Sequence, residues 1–147
     1  MDQQGIVDYI SEHFEGVRVI FGSGPVAADD TFFLYDPQGI LEGNQQFPFA
    51  TIVTKDYGDF DNLSDLDRPG VFRLNIGVSR DTFRRLFPIS DAVYDYTALD
   101  TLLPHPVYAP QSWVSVLNPS DATFQSIVPL LTEAHENAVK RLQRVAG

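Results

Sequence analysis

Apolar and polar positions alternate most regularly in "VFRLNIGV" (71–78). Phe72, Leu74, Ile76 and Val78 interleave with Val71, Arg73, Asn75 and Gly77. A period of two predicts a β-strand with one apolar face and one mainly polar face. That pattern predicts a sheet covered on one side and open to solvent on the other, hence mainly antiparallel. β-branched and aromatic enrichment predicts further strands at "VRVIF" (17–21), "TFFLY" (31–35), "FPFATIVT" (47–54) and "SWVSVL" (112–117). Pro48 points to an edge strand or an entry position for the third of these. "DPQG" (36–39) is a turn signal that closes the second.

Helical spacing replaces alternation elsewhere. Ile6, Val7, Ile10 and Phe14 predict an N-terminal helix, with Asp2 at its start and Gly16 at its end. "SRDTFRRLF" (79–87) predicts a short helix with Ser79 as N-cap, Asp81 in the first turn and Pro88 as the stop. "TALDTLL" (97–103) predicts another, Thr97 and Asp100 forming a shortened capping box. Phe124, Ile127, Val128, Leu131, Ala134, Ala138 and Leu142 form the apolar stripe of a closing helix. Asn118 is its expected cap, Pro119 its first residue and Pro129 a break within it. Basic Lys140, Arg141 and Arg144 suit the negative pole of its dipole. The element order predicts one α+β domain spanning 1–147: two layers, a mainly antiparallel sheet of four to six strands, helices on one face.

Charge narrows the function classes. The net charge is −10, and residues 1–67 hold 13 acids against 2 bases while 68–147 hold 7 against 8. An acidic chain disfavours non-specific nucleic-acid binding, which needs a basic surface. Arg68, Arg73, Arg80, Arg84 and Arg85 fall within 18 residues and read either as a solvated face or as an anion site. With no cysteine, disulfides and thiolate metal sites are out of reach. No apolar run reaches the ~18 residues of a membrane span. "MDQQGIVDYISEHF" lacks the basic-then-apolar order of a signal peptide, so the expected location is the cytoplasm.

The familiar motifs fail on context. "GSGPVA" (22–27) fits a dinucleotide fingerprint, but that motif must open a helix, and here Asp29, Asp30 and a strand follow; a flexible hairpin connection is expected. The acidic loop 55–70 carries Asp59, Asp61, Asp65 and Asp67, but a calcium loop counted from Asp59 has Ser64 in place of the required Gly and Gly70 in place of the Glu. A solvated loop is the expectation. "HENAV" (135–139) lacks the second His of a zincin helix, so His135, like His13, reads as a helix surface or boundary residue. No cofactor or metal is expected.

Two polar sets remain as site candidates. Arg73 and Asn75 project from one face of one strand and, with Arg68 and Arg80 beside them, would line an anion-binding concavity, unless they are simply exposed or paired with the acidic loop. His105, Tyr108, Gln111 and Trp113 lie in or just after a stretch that prolines 104, 106 and 110 hold extended. Stiffness suits a binding wall, because less entropy is lost on binding. The competing account makes Tyr108 and Trp113 core-edge residues and gives His105 a helix end to satisfy. A hydrolase or transferase with His105 as base would need a carboxylate or hydroxyl beside that ring.

"SDLDRPGVFRLNIGVSRDTFRRLF", "DYTALDTLLPHPVYAPQSWVSVLNPS" and "PLLTEAHENAVKR" resemble a family of small bacterial proteins known only as a domain of unknown function, over about residues 5–145. More remotely, Val71–Phe87, Tyr108–Leu117 and Leu130–Leu142 are similar in order to the MmcQ/YjbR-like family. That similarity implies a secretion-chaperone-like α+β fold and a double-wing DNA-binding shape. The chain departs from it in being acidic and in lacking a Lys-rich wing. The leading expectation is a non-enzymatic module that binds a small molecule or a protein through Arg73, Asn75, His105, Tyr108, Gln111 and Trp113, and that pairs as a homodimer through a sheet edge or face. The alternative is nucleic-acid binding through Arg68, Arg80, Arg84 and Arg85.

Overall fold

The computed structural model describes residues 1–146, the side chains of Val26 and Ala146 apart. Six strands form one antiparallel sheet: β1 Val17–Phe21, β2 Thr31–Tyr35, β3 Ala50–Val53, β4 Arg73–Gly77, β5 Leu102–Pro104 and β6 Trp113–Leu117. Their spatial order is β1-β2-β3-β4-β6-β5. The helices are α1 Gln3–His13, α2 Gly24–Ala27, α3 Arg80–Leu86 and α4 Asp121–Ala146. The fold is α+β, with an open antiparallel sheet, as the alternation in 71–78 predicts.

One sheet face carries the main core. Phe33, Ala50, Ile52, Leu74, Ile76, Val114 and Val116 meet Ile6, Val7 and Ile10 of α1 and Phe124, Ile127, Leu131, Ala134 and Ala138 of α4. Asp2 accepts a hydrogen bond from the Gly5 amide at 2.8 Å and so starts α1. Gly16 sits at φ 66°, where a Cβ would meet the Tyr35 ring at 2.7 Å, so only glycine fits the turn into β1.

Five local expectations change. The β1–β2 connection is a single helical turn, α2, opened by Gly24 and Pro25, and Gly22 is packed so close to Ala27 that a Cβ there would lie 1.9 Å from its carbonyl oxygen. It remains within a hairpin, since Phe21 pairs with Thr31. Residues 97–103 do not form a helix. Thr97 bonds to the Asp95 carboxylate, and the Asp100 carboxylate accepts from Ser120. With both capping groups engaged elsewhere, Leu102 and Leu103 pair with β6 as an edge strand. Pro104 is tolerated there because the edge asks for fewer ladder donors.

Ser120 rather than Asn118 caps α4, its hydroxyl accepting from the Thr123 amide at 3.2 Å. Asn118 is left-handed at φ 43° and uses its amide to tie Phe72 to Gly70. Pro129 does not break α4. It lies on the exposed side together with Gln125, whose carbonyl loses its helical partner, while buried side chains before and after it hold the axis. His135 is a core histidine packed among Phe14, Tyr35 and Phe49, and its Nε2–H donates to the Glu15 carbonyl at 2.7 Å. His13 is exposed and stacked on Tyr9, as a boundary residue would be.

The largest departure concerns the sheet's second face, expected to meet solvent. Arg73 is 0% exposed and Asn75 2%. The 54–70 segment crosses over them, and Asp61 and Ser64, expected to be solvated, are buried with them.

α3 is docked by α4. The Glu133 carboxylate accepts from the Ser79 amide at 2.7 Å and from the Thr82 hydroxyl at 2.8 Å. Burial alone would raise the Glu133 carboxyl, but these donors and nearby Arg85 hold it below its ordinary value. Glu133→Ala would leave both donors without an acceptor and should lower stability by about 1–2 kcal/mol, read as a shift of the urea unfolding midpoint at unchanged slope.

Candidate functional site

Side-chain alternation places Arg73 and Asn75 of β4 on the second face. Cross-strand pairing sets Thr51 of β3 and Ser115 of β6 beside Asn75. Asn75 accepts from Arg73 Nε at 2.8 Å and donates to the Thr51 hydroxyl at 3.0 Å. Arg73 then meets Asp61 in a two-pronged pair: Nη1 donates to Oδ1 at 3.0 Å and Nη2 to Oδ2 at 2.6 Å. Nη1 also donates to the Ser64 hydroxyl at 2.9 Å. A tight turn presents Asp61: Tyr57 and Asp61 exchange backbone hydrogen bonds around Gly58, which sits at φ 53°.

His105 follows the end of β5, and its amide extends the ladder by donating to the Trp113 carbonyl. The ring turns back on its own chain. The amides of Val107 and Tyr108 donate to Nδ1 at 3.0 and 2.9 Å. Neutral imidazole has one acceptor nitrogen, so the proton resides on Nε2. Nε2 in turn faces Arg73 Nη2 at 3.3 Å. Two donors therefore point at one another in the interior with no acceptor between them. Burial first, and the Arg73 charge second, push the His105 pKa down to about 3, against the opposing pull of Asp61.

These groups border a cavity of about 520 Å³. Arg73, Asn75 and Thr51 contribute its polar wall, and Phe32, Val53, Tyr57 and Trp113 are among its apolar lining. Exposed Phe47, Phe60 and Tyr108 belong to the same lining, Phe60 meeting Tyr108 edge to face with ring centroids 6.0 Å apart. Trp113 lies against Gly77, its cross-strand partner, where a Cβ would meet the indole at 3.0 Å. The missing side chain at 77 makes room for the indole.

Five of the six candidate residues, Arg73, Asn75, His105, Tyr108 and Trp113, line this one cavity. Gln111 does not. It is exposed at the end of the 3₁₀ turn Ala109–Gln111. Residues 104–111 are not held extended as expected: past Pro104 the chain turns over 106–108 and enters the 3₁₀ helix Ala109–Gln111, and of this segment His105 and Tyr108 line the cavity. His105 satisfies the amides of the turn that follows it. The basic set is not one patch. Arg68 is committed to the carbonyls of Ser64, Asp65 and Thr97. Arg80 and Arg84 flank a separate hollow with Phe87 and Tyr94, and Arg85 is exposed on α3. His105 is also unsuited to act as a base, because Nδ1 is engaged twice and Nε2 faces a cation. Among the described residues no three His, Asp or Glu side chains are grouped to hold a metal ion, and no helix is long and apolar enough to cross a membrane.

Sequence reasoning weighed a pairing of Arg73 with the acidic loop without singling out Asp61 in it, and missed Ser64 and Asp30. For Asp61 a signal existed: an arginine within an alternating apolar strand needs a counter-ion, and an acidic loop lies just upstream. Nothing local singles out Asp30.

A family of unknown function, DUF6194, matches the chain over residues 1–147. The chain belongs to that family. The resemblance carried by residues 5–145 therefore extends to the full length given. No curated protein and no solved structure matches, and none of these comparisons supports the similarity to the MmcQ/YjbR-like family. What this DUF6194 protein does must be argued from the cavity itself.

The buried pair makes the first prediction here. Asp61→Asn leaves the Arg73 charge in the interior without its counter-ion and should destabilise by about 3 kcal/mol or more. Asp61→Leu combined with Arg73→Met removes both charges and should lose less than Asp61→Asn alone, both measured by urea unfolding. The second concerns acid. The unfolded chain takes up a proton on His105 near the ordinary value of 6.5, whereas the folded chain resists until about 3. Lowering the pH through that window therefore favours unfolding, by up to about 1.4 kcal/mol per pH unit. His105→Asn keeps an acceptor for the two amides and removes the titration. Its melting temperature should fall less than the native one between pH 6.5 and 4.5.

Proposed function

We propose that this protein is a non-enzymatic ligand-binding module of the cytoplasm whose site is the cavity on the second sheet face. The ligand is small, largely apolar and planar, and carries a neutral hydrogen-bond acceptor such as a carbonyl oxygen. One observation carries this reading: His105 Nε2–H and an Arg73 Nη2–H stand 3.3 Å apart at the cavity wall, two buried donors with no acceptor to share. Buried donors without partners cost free energy, and an acceptor placed against both relieves it. The acceptor is neutral because Asp61 already matches the Arg73 charge, and a further buried anion would go uncompensated. The aromatic lining supplies the apolar contact, and a cavity of this volume falls in the range of small-molecule sites.

The probe is 4-methylcoumarin, flat, neutral and bearing a lactone carbonyl. Titrated into ¹⁵N-labelled protein, it should shift the Trp113 indole and Tyr108 amide resonances at millimolar concentration or below. His105→Asn should weaken it about tenfold, while Gln111→Ala, outside the cavity, should leave it unaltered. Absence of any shift in the native protein, or equal weakening by both variants, would sink the proposal.

A further inference from the structure

The same cavity has a second polar feature, across the sheet from His105. Asp30 directly precedes β2, and alternation places it on the face of Phe32, opposite to Thr31 and Phe33. Extending the β2–β3 register by one residue sets it beside Val53, which pairs with Arg73. Asp30 and Arg73 thus stand two strands apart in one row, roughly 10 Å between backbones at the usual strand spacing.

The Asp30 carboxyl is 1% exposed and only half used. Oδ1 accepts from the Thr54 amide at 3.0 Å and from the Thr54 hydroxyl at 3.3 Å. Oδ2 is buried and has no hydrogen-bond partner among the described residues. The nearest cation does not serve it. Lys55 Nζ stays 4.0 Å from Oδ1 and donates instead to the Ala28 carbonyl. A buried carboxylate oxygen left bare is costly, so an unfilled acceptor in a cavity wall calls for a donor from outside the chain.

We infer that Asp30 determines specificity in this cavity by accepting a hydrogen bond from a ligand N–H, so that the ligand is a flat molecule with an acceptor at one end and an N–H donor at the other. This inference rests on the binding reading above and adds the donor end to it. The ligand spans the row from Arg73 and His105 to Asp30, with its ring system between Phe32, Tyr57 and Trp113. Burial raises the Asp30 carboxyl above its ordinary value, against the Thr54 hydrogen bonds and the Lys55 charge. A ligand donor to Oδ2 opposes that rise. Asp30 also borders a second hollow beside Gln3, Gln4 and Arg68, so the test must show which of the two its free oxygen serves.

Two probes separate the possibilities. 7-Amino-4-methylcoumarin and 7-dimethylamino-4-methylcoumarin share ring and carbonyl, but only the first has N–H donors at the end opposite the carbonyl. Affinities for the native protein are measured by fluorescence titration at pH 8, alongside Asp30→Asn. The expected result is about a tenfold preference for the amino compound, falling to near unity in Asp30→Asn. Equal binding of the two by the native protein overturns the role of Asp30 and leaves the cavity reading standing. A preference that persists in Asp30→Asn overturns it too, since the donor then meets another group. If neither coumarin binds, the binding reading fails and this inference fails with it. The native-protein ratio alone decides the matter if Asp30→Asn does not fold.

Discussion

The second face of this sheet depends on one ion pair. Arg73 stands at the start of a central strand with its side chain away from the helices, where an unpaired guanidinium would be prohibitive. Asp61 matches it with two parallel hydrogen bonds, and Ser64 and Asn75 take two further donors. Such a pair need not add net stability over well-packed apolar residues. Its consequence is positional. It draws the 54–70 segment onto the sheet and sets it at a fixed height, since a guanidinium–carboxylate fork has little geometric freedom.

That height makes the cavity. A polypeptide segment held above a sheet by a polar contact at one point does not pack flush along its whole length. The space left beside the contact is lined by what the strands project there, Phe32, Thr51, Val53 and Asn75, and by what the segment projects back, Tyr57 and Phe60. His105 and Tyr108 of the 104–111 segment complete the lining. Prolines limit the segment's backbone, and the His105 ring closes its turn by accepting two amides. The ring becomes a structural acceptor at Nδ1 and is thereby forced to present a donor at Nε2. Local chain geometry thus decides the chemistry that faces the cavity.

Much of this was legible in the chain. Alternation in 71–78 shows that Arg73 and Asn75 share a face, because the two-residue period is a property of the extended backbone alone. The prolines around His105 limit the backbone but do not keep it extended, because proline's φ also suits a turn and a 3₁₀ helix, which 106–108 and 109–111 adopt. Gln111 fails for a reason the pattern does not contain: the 3₁₀ turn at 109–111 rotates it outward. Thr97 and Asp100 fit a helix start by spacing but find partners in Asp95 and Ser120 instead. Pro129 carries a local instruction to break that burial on both sides overrides.

The sequence by itself determined the α+β class and the type and apolar side of the strongly periodic elements, since these follow from short-range periods and from residue chemistry; the short elements α2 and β5 escaped it because their patterns are too brief to carry a period. Only the tertiary structure decided that the polar face is interior, that Asp61 rather than Asp59, Asp65 or Asp67 answers Arg73, and that His105 and Asp30 border one cavity. Those outcomes join groups 12 residues apart for Asp61 and Arg73 and 32 apart for Arg73 and His105. Charge and periodicity say that such groups need partners. Which partners they find depends on where the chain returns, and that is settled by the packing of the whole sheet.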